Sequence, residues 1–196
     1  SYDIERKPVA LFNLGEATDM FWKTKALLPG DETISEDSPK GASLRELFAK
    51  TLLESNVQRQ FDVEGVALGY RYDRSPIVAP DGTPPPRTEV QVYTPTARPG
   101  SRAPHAWLKD GRSTLDLFGD GFTLLRLGGN SFDVSDVVAA ARDAGLPLTV
   151  CDIDEEPVPT LYERKLVLVR PDGHVAWRAD SPPENPRSVI DQVRGA

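Results

Sequence analysis

Phe122-Thr123-Leu124-Leu125-Arg126-Leu127 is a near-continuous apolar run between two glycine pairs, Gly119/Gly121 and Gly128/Gly129. A run this short and this apolar reads as a strand buried on both faces, which forces cover onto both sides of its sheet. The residues after it supply that cover in a fixed order. Val134, Val137, Val138 and Ala141 recur at helical spacing, with Gly145 placed as the C-terminal stop. Leu148 to Ile153 is the next apolar strand, reached by a crossover that should be right-handed. Leu166–Val169 and His174–Arg178 then flank Pro171-Asp172-Gly173, a hairpin signal. Asn185-Pro186 opens a closing helix with Val189, Ile190 and Val193 turned inward.

Strand, helix, strand, hairpin, helix is the order of the minimal thioredoxin core. The expected fold is therefore α/β, with a thioredoxin-like domain over residues 99–196. Residues 1–60 read as a helical segment. Pro8 suits a first helical position, and Leu11, Leu14, Phe21 and Leu28 behind it form an apolar stripe that wants a partner surface. Pro29-Gly30-Asp31 should end that helix, and Asp31 to Lys40 reads as an exposed loop. Ser43 with Glu46 is a capping-box signature for a second helix carrying Leu44, Leu47, Phe48 and Leu52 on one side. Residues 61–98 read as an extended linker bridging two bodies. In it Val66, Leu68, Tyr70 and Tyr72 alternate like a half-buried strand, and Val90 and Val92 suggest another. Pro80-Asp81-Gly82 is a turn and Pro84-Pro85-Pro86 a stiff spacer.

Charge narrows the partners. A net charge of −7 argues against nucleic acid and anionic membrane, both of which need concentrated Lys and Arg. No apolar run approaches the ~18 residues needed to span a bilayer. A single cysteine, Cys151, excludes an internal disulfide framework and suits a reducing cytoplasm.

Several ordered segments resemble one family. Ser1-Tyr2-Asp3-Ile4-Glu5-Arg6-Lys7-Pro8 is similar to the stretch that closes the FAD-binding part of class A flavin-dependent aromatic-ring hydroxylases. Leu68-Gly69-Tyr70-Arg71-Tyr72, Arg102 to Leu108, Ser113 to Leu125 and Leu168 to Arg178 resemble the C-terminal portion of the same enzymes, nearest the phenol, dichlorophenol and aromatic polyketide hydroxylases. The resemblance implies a parent monooxygenase that uses FAD and NAD(P)H, with the missing FAD-binding domain as partner to this segment and a homo-oligomer as its assembly. It also implies that the flavin motifs precede Ser1, so no catalytic, cofactor-binding or metal-binding residue is assigned in this chain. The segment is expected to hold no cofactor and to be inactive alone. The alternative is a stand-alone structural or oligomerisation module with a redox-inactive thioredoxin-like fold.

The residues that could argue otherwise are weak. Gly119-Asp120-Gly121 and Gly128-Gly129-Asn130 lack dinucleotide spacing and read as tight turns. Thioredoxin chemistry needs two nearby thiols, yet the loop Gly128 to Asp133 has none. Arg164-Lys165 stand where a redox-active member carries proline, and Cys151 reads as buried and inert. Arg102-Ala103-Pro104-His105 resembles a peroxiredoxin entry motif, but the peroxide-reducing cysteine is absent. His105 is expected to be packed or hydrogen-bonded beside Trp107, and His174 to be half-exposed after its turn. Asp152, Asp154, Glu155 and Glu156 lack the loop geometry of a cation site and read as a solvated strand end. Tyr70, Arg71 and Tyr72 read as packing residues in preference to the lining of an aromatic-substrate entrance.

Overall fold

In the computed structural model, residues 2–27, 30–55, 62–129 and 132–196 are described. The chain is mixed α/β. Its centre is a four-stranded sheet of order β2-β1-β3-β4, formed by β1 (Phe122–Leu127), β2 (Leu148–Ile153), β3 (Leu166–Val169) and β4 (Val175–Ala179). β1 runs parallel to β2, with Leu125 opposite Cys151 and Arg126 opposite Asp152. β3 is antiparallel to both β1 and β4. The strand–helix–strand, hairpin and closing helix read from the sequence stand in that order.

Alternation along the strands explains why both faces are apolar. Leu124, Leu166, Leu168 and Ala176 point to one side, against Val137 and Ala141 of helix α4 (Ser135–Asp143) and Ile190 and Val193 of α6 (Pro186–Arg194). Leu125, Leu127, Val167, Val169 and Val175 point to the other, against Ala103, Ala106, Leu108 and the short helix α5 (Val158–Tyr162). α5 has no sequence periodicity to reveal it. Its Tyr162 is fully buried and donates its hydroxyl to the Pro104 carbonyl at 2.7 Å. Asn185 caps α6 by accepting from Ser188 N–H, as its position before Pro186 predicts.

The N-terminal elements depart from expectation. Helix α1 (Tyr2–Leu27) starts six residues before Pro8, which lies inside it. Asp3 and Glu5 provide the first-turn negative charge that favours an early start, although Pro8 withholds the donor Ile4's carbonyl would have met. Of the predicted helix end, Leu28 and Pro29 lie outside the described residues. Asp31 caps a 3₁₀ turn (Glu32–Ser35) by accepting from Thr33 N–H. Helix α2 (Pro39–Glu54) is capped by Ser38, not Ser43. Pro39 at the first helical position makes Ser38 the better start, and Ser43 instead donates back to the Pro39 carbonyl within the helix.

The expected strand at 66–72 is in part a helix, α3 (Glu64–Leu68). Gly65 decides this, because its missing side chain lets the helix lie directly on the backbone of Glu89 and Val92. Val66 N–H then bonds the Val90 carbonyl, so Val90 and Val92 form no strand of their own. The stretch from Tyr72 onward covers the outer edge of β4. Ala79 N–H donates to the Ala176 carbonyl and Gly100 N–H to that of Val175, both at 2.8 Å. The boundary expected at 60/61 lies outside the described residues.

Candidate functional site: a buried junction of charged and aromatic side chains

Three segments distant in sequence meet at one cluster. The first turn of α1 brings Glu5 and Arg6, the chain after α3 brings Tyr70, Tyr72 and Ser75, and the β3–β4 turn brings Arg170, Asp172 and His174. The turn itself needs Gly173, whose φ of 79° is left-handed.

Glu5 and Arg170 form the centre. Arg170 grips the carboxylate with both terminal nitrogens, at 2.6 Å to Oε1 and 3.2 Å to Oε2. Ser75 donates to Oε1 at 2.6 Å. The remaining reach of the guanidinium is taken by Asp172 Oδ2 at 2.8 Å, and its plane lies over the Tyr72 ring at 5.5 Å. Burial alone would raise Glu5, but the hydrogen bonds from Arg170 and Ser75 hold its carboxyl below the usual range. Burial opposes the charge on Arg170 as well, and Glu5 and Asp172 outweigh it.

Aromatic rings brace this centre. His174 is 2% exposed, not half-exposed, because it stacks on Tyr72 with ring centres 4.3 Å apart. Tyr70 lies beside both rings, with Arg6 over its outer face at 6.0 Å. Neither ring nitrogen of His174 makes a hydrogen bond among the described residues, and Nδ1 stands 3.6 Å from Asp172 Oδ1. Burial pushes the Tyr72 phenol up to about 12, helped by Tyr70. Ser75 donates to Glu5, but the lowered carboxyl, already gripped by Arg170, is a weak base for that hydroxyl. The chemistry of the cluster is charge pairing between remote segments.

The other residues singled out in the sequence lie apart from it. His105 is exposed, with its ring at right angles to an exposed Trp107, 5.0 Å away. Cys151 is half-buried instead of buried, and burial pushes its thiol up. The acidic run is divided: Asp152 forms a two-pronged pair with Arg126, and Glu155 accepts from Lys109 N–H at 2.9 Å. Among the described residues no group of three or more His, Cys, Asp or Glu side chains is placed to hold a metal ion. Gly119 and Asp120 turn into β1, and Gly128 and Gly129 leave it. Asn130 and Ser131 lie outside the described residues. Sequence reasoning passed over Glu5 and Arg170 although both sit in segments that carry the family resemblance; the signal available was a charged residue inside each matched stretch.

Comparison with known proteins gives a consistent result. The family profile described as "Aromatic-ring hydroxylase, C-terminal" matches residues 96–196, just over half of the chain. FAD-dependent monooxygenase apdD of Emericella nidulans is 35% identical over 100% of this chain and 33% of its own length. Tetracenomycin B2 monooxygenase-dioxygenase of Streptomyces olivaceus is 36% identical over 91% of this chain and 37% of its own. Among solved structures, the rebeccamycin biosynthetic enzyme RebC with reduced flavin superposes at a TM-score of 0.86 with 41% identity, covering 100% of this chain and 36% of that one. The chain thus spans about a third of the length of the relatives it matches. It belongs to the aromatic-ring hydroxylase family, through the C-terminal region of those enzymes.

Proposed function

We propose that this chain is the structural and association part of an FAD- and NAD(P)H-dependent aromatic-ring monooxygenase, docking onto the FAD-binding part and inactive by itself. In such an enzyme the bound flavin supplies the oxygen-transfer chemistry, and the protein supplies position and exclusion of water. The observation that carries the reading is α1. Over 26 residues it buries one described side chain, Glu5, while Ile4, Leu11, Leu14, Phe21 and Trp22 lie exposed on one side, a mainly apolar stripe that Lys7, Thr18 and Lys25 interrupt. A stripe of that size, about 100° wide, belongs against another surface.

Among the described residues, the glycine turn after β1 does not fit FAD. The dinucleotide site of flavoproteins needs glycines where a pyrophosphate can approach a helix end. Here the side of Gly129 where a side chain would start is closed by the Asp154 carboxylate, whose charge opposes a phosphate. The thioredoxin-like reading of the α/β body rests on strand order and direction, and its redox silence on Cys151 being the single cysteine of the chain. No helix among the described residues is long and apolar enough to cross a membrane. A cytoplasmic location rests on the cysteine usage alone.

The test is direct. The purified chain, mixed with excess FAD and desalted, should carry no flavin absorbance and consume NAD(P)H at the blank rate. Stoichiometric retention of flavin would overturn the proposal.

A further inference from the structure

We propose that the Glu5–Arg170 pair is a positioning joint, which sets the direction of α1 against the sheet and so fixes where its apolar stripe points. Only that second consequence rests on the docking role proposed above; the joint itself is a property of this chain.

Three observations support it. The pair spans 165 residues and ties the first turn of α1 to the turn between β3 and β4. It is the one place where a described α1 side chain is buried, and what enters there is a carboxylate. Farther along, Pro8, Val9 and Phe12 face the Gly65–Tyr70 stretch across an open groove of about 200 Å³, so packing there leaves a gap. A helix held by apolar packing can slide and roll, because dispersion is non-directional. A two-pronged guanidinium–carboxylate contact is planar and directional, and admits one approach.

The socket is itself immobilised. Arg170 cannot swing away, because Asp172 holds one nitrogen and Tyr72 lies under its plane. Tyr72 is in turn clamped by His174. Ser75 adds a third fixed donor to the carboxylate. The joint gives Glu5, Tyr72, Ser75, Arg170 and Asp172 a common purpose.

Spin labels placed on exposed sites, Thr18→Cys in α1 and Asp120→Cys before β1, in a Cys151→Ser background and diluted in excess unlabelled Cys151→Ser chain so that only distances within one chain are read, report the helix direction through their distance distribution. The parent should give one narrow distribution. Glu5→Ala and Arg170→Gln should each broaden it at least twofold while the sheet stays folded at the temperature of measurement, its thermal midpoint lowered by the unpaired buried group, and Arg170→Lys, which keeps the charge but loses the fork, should fall between. An unchanged width in Glu5→Ala overturns the joint. So does a Glu5→Ala protein that loses the sheet together with the helix, since the pair would then be holding the body instead of aiming α1. Where Arg170→Gln alone fails to fold, Glu5→Ala decides. Flavin retention by this chain would refute the function proposed above and leave the distance result standing.

Discussion

Arg178 enters the interior from β4, 3% exposed, and meets three oxygens: Asp81 at 2.7 Å, Glu163 at 2.9 Å and Thr83 at 3.3 Å. It thereby bolts the Pro80–Thr83 turn onto the sheet. Burial would raise Asp81, but the hydrogen bonds from Thr83 and Arg178 prevail and bring its carboxyl down from 3.8 to about 2. A carboxyl depressed by folding contributes stability that is fully present above its unfolded value and lost as pH falls through the folded one. The window is therefore pH 4 down to 2. Asp81→Asn should cost about 2 kcal/mol at pH 7, by the conversion of 1.36 kcal/mol per unit, and should flatten the acid limb in that window. Urea unfolding of both proteins between pH 7 and 2 checks it. Tyr72 runs the opposite way. A phenol raised from 10.0 to about 12 stabilises the fold fully below pH 10, and that contribution is lost as pH rises toward 12. Tyr72→Phe should unfold with a shallower alkaline limb in the same measurement.

At the level of elements, α3 depends on a hydrogen atom. Any Cβ at Gly65 would overlap the carbonyl oxygens of Glu89 and Val92, which are backbone and cannot rotate away. Gly65→Ala should destabilise by about 1–3 kcal/mol, as overpacking does, although alanine is the better helix former. A chain melting at or above the parent temperature would contradict this. The same position shows why some elements were legible and others not. Strands β1 to β4 and helices α4 and α6 announce themselves because each buries a face within its own residues, as Leu124/Leu168 and Val137/Ala141 do. The alternation Val66, Leu68, Tyr70, Tyr72 is equally regular, but the contact that decides it lies 24 residues on, at Glu89. Ser43 reads as the cap of α2, and Pro39 at the first helical position places the cap at Ser38 instead. Glu5 and Arg170 stand in plain view in the sequence, yet nothing local says that they touch. His174 reads as a turn residue and is buried because Tyr72, remote in sequence, lies over it.

Across the whole molecule the α/β body is covered on both faces while α1, about 39 Å long by its residue count, is not. The isolated chain should therefore self-associate through α1. Sedimentation over a concentration series should show association, and Leu14→Glu with Phe21→Glu should abolish it without lowering the melting temperature, because both side chains are solvent-exposed. A concentration-independent monomer for the parent would count against the docking role of this helix.

β4 has its outer side occupied by Ala79 and Gly100, whereas β2 pairs with β1 alone in the sheet. Among the described residues, then, the rim without a strand beside it is that of β2. Two copies joined rim to rim would exhaust that valence, so ribbon growth through this sheet ends at a pair and cannot propagate into a polymer.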